Sequence, residues 1–88
     1  MRSEPPSQIF REPPHICIEV LSKDDSVASM QQRIDDYLTF GVRHVWLIDP
    51  TTRRAWTYTS GGSIEAKDSI LRATNPDVIL PLAELFAD

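Results

Sequence analysis

The sequence predicts an α/β fold with a mixed sheet of four to five strands and one main crossover helix. Residues 15–21 and 42–48 have the apolar, β-branched composition of strands, and between them apolar residues recur at spacings of three and four. A strand, a helix and a strand in that order form a crossover unit, whose two strands run parallel in nearly all known cases. The 88 residues, 41% of them hydrophobic, suffice for one small domain and argue against disorder of the whole chain.

The first fourteen residues differ in composition from the rest of the chain. They carry four of the seven prolines and few apolar side chains other than Ile9 and Phe10. Such a segment can bury little apolar area, and its prolines cannot donate backbone hydrogen bonds. We therefore predict a Pro-rich extended arm over residues 1–14 and a folded domain over residues 15–88.

The first predicted strand, residues 15–21, has apolar side chains on both faces. Successive side chains of a strand point to opposite faces. One face carries Ile16, Ile18 and Val20, and the other carries His15, Cys17, Glu19 and Leu21. We therefore expect a strand that is covered on both sides, as in a sheet with helices packed on it.

The helix is predicted to begin at Asp25 or Ser26, either of which could cap its first turn. Gly41 provides the stop that is common just past a helix. The expected apolar stripe comprises Val27, Met30, Ile34, Tyr37, Leu38 and Phe40.

The pattern is weaker downstream of the second strand. A third strand is predicted over residues 55–59, antiparallel to the second because only a short turn separates them. A weak strand follows around residues 63–66, or extends to residue 70. A short strand over residues 78–80 and a terminal helical turn over residues 82–86 complete the prediction.

Composition limits the possible partners and the compartment. The net charge of −4 provides no general attraction for nucleic acid, although Arg53, Arg54, Trp56 and Tyr58 form one basic and aromatic cluster that supports a small DNA-binding module as an alternative. Cys17 is the single cysteine, so no intramolecular disulfide is possible. No apolar run reaches the ~20 residues of a membrane span. These observations predict a cytoplasmic protein with no membrane partner.

Glu19 is the unusual residue of the first strand, because a carboxylate between two apolar neighbours needs a partner. It could lie at a solvated strand end, or pair with Arg33 or with His15, which shares its predicted face. It could also bind a metal, since Mg²⁺ takes carboxylates, backbone carbonyls and water as ligands. One carboxylate by itself makes a weak site.

An ordered set of short motifs runs through the chain. It comprises Glu19-Val20 and Ser22 on the strand, Tyr37 on the helix, Gly41-Val42 at the helix stop, Trp46 to Pro50 on the second strand, and Leu80-Pro81-Leu82 with Glu84-Leu85-Phe86 near the end. This set resembles the Uma-two-type family of putative restriction endonucleases, within the PD-(D/E)xK nuclease superfamily. The resemblance implies a partial restriction-endonuclease-like core.

The same resemblance implies a Mg²⁺-dependent endonuclease that hydrolyses DNA phosphodiester bonds. Glu19 and the backbone carbonyl of Val20 are then candidate metal ligands, and Glu19 and Arg33 are the candidate catalytic residues. Arg33 stands where the family has a lysine. Arginine keeps its proton at any relevant pH, so it can hold a phosphate but cannot act as a base. The family's upstream aspartate has no match in residues 1–14, so a domain truncated at its N-terminus is expected.

These departures leave two functions open. In one, the chain is an endonuclease with impaired activity whose missing acid comes from a second subunit. In the other, it is a non-catalytic remnant that serves as a protein-binding or assembly module. In both cases we expect an uncovered sheet edge to recruit a second copy or another chain.

Overall fold

The backbone follows the strand, helix, strand order that the hydrophobic pattern predicts. The structure is a computed structural model that describes residues 12–86. Its elements are β1 (Ile16–Val20), α1 (Val27–Phe40), β2 (His44–Asp49), β3 (Arg54–Thr59), β4 (Gly62–Glu65), β5 (Ile70–Ala73), β6 (Val78–Pro81) and α2 (Leu82–Leu85). The predicted arm, residues 1–14, lies outside the described residues except for its last three. The predicted α/β fold class is confirmed.

The main sheet has four strands in the order β1-β2-β3-β4. β1 and β2 are parallel, with Ile16 opposite His44 and Val20 opposite Ile48, because α1 carries the chain back across the sheet between them. β3 and β4 follow as antiparallel neighbours joined by short turns. The sheet is therefore mixed, as predicted, and β1 lies at one of its edges.

Between Gly62 and Ala73 the chain forms two strands, β4 and β5, where the pattern suggested one. β4 ends at Glu65, and β5 begins at Ile70 and pairs only with β6 in a separate two-stranded sheet. Ser69, with a φ of 65°, lies in the turn between them. β5 leaves the main sheet because its alternate residues Leu71 and Ala73 are buried against the face of that sheet.

Two apolar clusters cover the two faces of the main sheet. Along β2 the side chains alternate, so Val45 and Leu47 face α1 while Trp46 and Ile48 face the β5–β6 hairpin. Both sets are buried, which explains why β2 is a continuous apolar run in the sequence. The cluster under the hairpin contains Trp46, Ile48, Ala55, Leu71, Ala73 and Leu82. The cluster under α1 contains Ile34, Val42, Val45 and Leu47.

The edge strand β1 is packed along the face under α1, but on its other face only at its first residue, Ile16. Cys17 and Leu21 pack under α1, and Ile16 packs against the hairpin cluster. Ile18 and Val20, on the hairpin side, remain 51% and 56% exposed. The expectation of a strand covered on both sides is therefore wrong for these two residues, because the cluster under the described hairpin reaches β1 only at Ile16.

The ends of α1 are set by local hydrogen bonds. Ser26 is the N-cap, and its side-chain oxygen accepts a hydrogen bond from the Ser29 N–H at 3.0 Å. Of the two predicted caps, Ser26 is therefore the correct one. Gly41 ends the helix with a φ of 112°, and its N–H donates to the carbonyls of Leu38 and Tyr37. Val27 is 77% exposed, so the first residue of the predicted apolar stripe does not belong to the core.

Replacing Gly41 with alanine is expected to lower the free energy of unfolding by about 1–2 kcal/mol, since an L-residue is strained in this left-handed conformation. An added Cβ would also meet Pro13 Cγ at 3.0 Å. Thermal unfolding should show a fall in Tm of about 4–16 °C for a domain of this size.

Gly61→Ala is the matched control for that variant. A Cβ on Gly61 would make only an ordinary contact, 3.7 Å from Thr59 Oγ1, and the left-handed strain does not arise there. A Gly41→Ala protein as stable as the Gly61→Ala protein would contradict the role given to the Gly41 backbone.

Candidate functional site

Glu19 lies near the carboxyl end of the edge strand, on the face that α1 covers. It is opposite Leu47 of β2, and its strand neighbours on that face, Cys17 and Leu21, pack into the cluster under the helix. Its side chain is only 17% exposed. A carboxylate buried to this extent needs hydrogen-bond donors to be stable.

Arg33 of α1 supplies the charged partner. Its Nε donates to Glu19 Oε1 at 2.7 Å, and its Nη1 donates to Asp25 Oδ1 at 3.3 Å and to Ser29 Oγ at 3.2 Å. Of the alternatives for Glu19, the ion pair with Arg33 is therefore the one that the structure shows. Hydrogen bonding to Glu19 is the main cause that raises the pKa of Arg33, so the guanidinium keeps its charge.

Tyr37 binds the second oxygen of the same carboxylate. Its hydroxyl donates to Glu19 Oε2 at 3.2 Å, from a position one helical turn after Arg33. Burial raises the pKa of Tyr37, and the charge of Glu19 raises it further. The phenol therefore stays protonated and remains a donor.

Asp25 completes a group of four side chains that we call the carboxylate clasp: Glu19, Asp25, Arg33 and Tyr37. Its Oδ2 accepts a hydrogen bond from the Ser22 N–H at 3.0 Å, while Oδ1 faces Arg33. The Ser22 backbone hydrogen bond, followed by the one from Arg33, lowers the pKa of Asp25. Sequence reasoning considered Asp25 only as a helix cap and missed this contact. Polar residues at 25, 29, 33 and 37, spaced by four, were the available signal.

His15 lies away from the clasp. Its Nε2 donates to the Thr74 carbonyl at 2.8 Å, and its ring meets the ring of His44 at 5.1 Å in an edge-on arrangement. Both contacts are on the hairpin side of the sheet. The expectation that His15 shares a face with Glu19 is wrong, because β1 begins at Ile16 and the alternation of strand side chains does not yet apply to His15.

The basic and aromatic cluster offers little free positive charge. Arg54 forms two hydrogen bonds with Glu65, at 2.8 and 3.0 Å, and lies over the ring of Trp56. Arg53 lies over the ring of Phe86. Trp56 and Tyr58 pack against the cluster under α1. The aromatic faces are therefore largely committed to the protein, which does not favour base stacking at this position.

The backbone carbonyl of Val20 points to the open edge of β1. The His44 N–H donates to the His15 carbonyl, and the Leu21 N–H donates to the Ile48 carbonyl. Odd-numbered residues of β1 therefore direct their backbone groups to β2, and Val20 directs its own to the other side. Among residues 12–86 no strand pairs with that side.

These oxygens do not amount to a divalent-cation centre. Both oxygens of Glu19 already accept hydrogen bonds, and a guanidinium lies beside one of them. Within residues 12–86 there is no group of three or more His, Cys, Asp or Glu side chains placed to hold a metal ion. The Glu19 carboxylate and the Val20 carbonyl therefore fit Mg²⁺ only as a fragment of a site.

The longest described helix, α1, has 14 residues, and no helix in residues 12–86 combines the length and hydropathy needed to cross a bilayer.

Comparison with known proteins identifies the family. The family model for Uma2, described as a putative restriction endonuclease, matches residues 2–86. A solved structure of a putative nuclease belonging to DUF820 from Anabaena variabilis ATCC 29413 is 25% identical, with a TM-score of 0.69, and the match covers 86% of this chain and 45% of that one. The chain thus spans less than half the length of that protein. No curated protein matches the chain. Because the family model matches nearly the whole chain, the chain belongs to the Uma2 family, whose model is described as a putative restriction endonuclease.

Proposed function

We propose that the chain forms part of a Mg²⁺-dependent endonuclease that hydrolyses DNA phosphodiester bonds. Glu19 and the Val20 carbonyl are the metal ligands in this proposal, and Arg33 contacts a DNA phosphate. The observation that carries it is the carboxylate clasp, which holds one low-exposure carboxylate beside an open strand edge. Family membership and the nuclease neighbour support the same reaction.

Arg33 suits phosphate binding better than proton transfer. Its raised pKa keeps the guanidinium charged, and its planar fork matches two phosphate oxygens. The chain carries a net charge of −4, so attraction for DNA must be local to such groups. Because Arg33 stays charged and cannot act as a base, we propose that the nuclease activity of the chain by itself is impaired.

A further acidic ligand is proposed to come from a strand outside residues 12–86 that lies at the β1 edge, such as one from a second subunit or a partner chain. Ile18 and Val20 leave about half of their side-chain surface exposed there, and the edge has no strand partner within residues 12–86. An exposed apolar edge strand pairs readily with a further strand. Such a strand would bring its own side chains close to Glu19.

A plasmid-cleavage assay with the full chain and Mg²⁺ or Mn²⁺ tests the proposal. We expect weak nicking, lowered about 10²–10³-fold by Glu19→Gln, if the loss is comparable with that for removing one donor that stabilises transition-state charge. Glu84→Gln, an exposed change of the same chemistry on α2, should leave the nicking unchanged. Nicking that survives Glu19→Gln would show that another protein or another site is responsible.

A non-catalytic assembly module is the alternative. It is favoured by the exposed apolar residues of β1 and by the fact that both Glu19 oxygens are occupied. This alternative predicts no nicking by the wild-type chain, together with a defined stoichiometry in light scattering that Ile18→Lys disrupts.

Two smaller assignments belong to the same proposal. A cytoplasmic location is supported by the presence of a single cysteine, Cys17, which suits a reducing compartment. Burial and the nearby Glu19 charge raise the pKa of its thiol. The division of the chain into an arm over residues 1–14 and a domain over residues 15–88 is also retained as a proposal.

A further inference from the structure

Two histidines bind the residue that follows β5. His15 Nε2 donates to the Thr74 carbonyl at 2.8 Å, and the Thr74 N–H donates to His44 Nε2 at 3.4 Å. His15 directly precedes β1, His44 begins β2, and the His44 N–H donates to the His15 carbonyl. The two side chains therefore bind both backbone polar groups of Thr74 and connect the turn over residues 74–77 to the main sheet.

The two hydrogen bonds place different demands on the protonation of the rings. A neutral imidazole has one N–H and one bare nitrogen, and a charged ring has two N–H groups. His44 Nε2 accepts, so it is the bare nitrogen, and the neutral ring carries its proton on Nδ1. His15 Nε2 donates, which it can do from a neutral or a charged ring. A proton added to His44 therefore occupies the atom that Thr74 needs, whereas a proton added to His15 leaves its hydrogen bond in place.

We propose that His44 is a pH-sensitive switch: protonation of its Nε2 releases the Thr74 N–H and loosens the β5–β6 turn from β2. Histidine is the side chain that ordinarily changes charge between about pH 5 and 8. The deprotonated ring makes the hydrogen bond, so the contact is present at high pH and is lost as the pH falls through this range. The switch lies outside the carboxylate clasp and is independent of the proposed nuclease reaction.

The neighbouring ring makes a charge on His44 less favourable. The centroids of the His15 and His44 rings are 5.1 Å apart, with an angle of 68° between the ring planes. When both rings are protonated, two positive charges at about this separation repel each other. The repulsion acts in the same direction as the loss of the Thr74 hydrogen bond.

The acidic groups around His44 are bound to other partners. His44 and Thr74 line a cavity of about 300 Å³, and the charged side chains that share this lining are Glu65, Asp68 and Arg72. Glu65 pairs with Arg54, and Asp68 pairs with Arg72. Asp77 belongs to the same turn as Thr74. Within residues 12–86, neither it nor any other carboxylate forms an ion pair with either histidine.

The adjacent strands supply no compensating group on this side of the sheet. Cys17 of β1 and Tyr58 of β3 both pack into the cluster under α1, on the opposite face. The charge added to His44 is therefore left to solvent, which reaches it best when the turn has moved away.

The test follows the Thr74 amide of the full chain by NMR between about pH 8 and pH 5.5. Its exchange with water, relative to that of an unstructured chain, gives a protection factor. We expect this factor to fall about 2- to 12-fold as the pH is lowered, which corresponds to the loss of one hydrogen bond. The fall should follow the titration of the His44 ring protons and not that of His15.

His44→Gln removes the titration and keeps an acceptor, because the Gln side-chain oxygen can take the place of Nε2. Its Thr74 protection should be constant over the same pH range. His15→Gln is the matched control: its amide can still donate to the Thr74 carbonyl, and His44 still titrates. This control should retain the fall in protection.

Three results would overturn the inference: Thr74 protection in the wild type that does not change with pH, a fall that follows His15, and a fall that persists in His44→Gln. If His44→Gln does not fold, the comparison of the two ring titrations in the wild type still decides. No outcome depends on cleavage, so the switch and the proposed function fail separately.

Discussion

Replacing Trp46 with alanine is expected to lower the free energy of unfolding by about 3–5 kcal/mol, which is a large part of the stability of a small domain. Trp46 is the largest fully buried side chain, in the centre of the cluster between the main sheet and the hairpin. The cavity would be bounded by β-strands on both sides, which can collapse only a little. Urea unfolding, monitored by far-UV circular dichroism, measures the loss of stability.

Trp46→Phe separates the size of the indole from its polarity. The Trp46 Nε1 is buried without a hydrogen-bond partner among the described residues. An unsatisfied buried donor costs about 1–3 kcal/mol, so removing it offsets part of the lost packing. We expect Trp46→Phe to cost less than half as much as Trp46→Ala. Equal losses in the two variants would contradict this expectation.

The crossover unit could be predicted because its signals are local. The helix cap at Ser26, the left-handed stop at Gly41 and the double-sided apolar run of β2 each depend on residues within a few positions. Helical or strand periodicity does not show which neighbour will cover a side chain. Ile18 and Val27 therefore matched the apolar pattern and yet are exposed.

The hairpin was harder to predict because its pairing and its packing are not local. β5 and β6 have four residues each, too few for a clear alternation, and their burial depends on Trp46 and Ile48, more than twenty residues earlier in the chain. The turn at Ser69 also required a positive φ from a residue other than glycine, which the sequence does not signal.

The clasp was predictable only in part. A strand carboxylate and a helix arginine 14 positions apart suggested an ion pair, and the structure shows one. The contact of Asp25 with Arg33 was missed because capping explained an aspartate at that position equally well. The roles of Glu19, Val20 and Arg33 in catalysis and metal binding remain predictions for the experiments above.

Ile34 provides the second large expected effect, because it attaches the helix that carries the clasp. It is the one residue of α1 that is fully buried, and it lies immediately after Arg33 in the chain. Its neighbours in the cluster are Val42, Val45 and Leu47. Ile34→Ala should lower the free energy of unfolding by about 2–5 kcal/mol.

Val27→Ala is the matched control on the same helix. It also shortens a β-branched side chain, but Val27 is 77% exposed, so the change in stability should stay within about 0.5 kcal/mol. Urea unfolding of both variants measures the difference, and similar losses would show that Ile34 does not hold α1 on the sheet.

Arg33 and Tyr37 reach Glu19 only from a helix held at a fixed depth over β1, since their contacts span 2.7 and 3.2 Å. A variant that loosens the packing of α1 on the sheet should therefore also weaken the hydrogen bonds of the clasp. The Tyr37 phenol is then less buried and farther from the Glu19 charge, so its pKa should fall toward its ordinary value. A spectrophotometric titration measures this change.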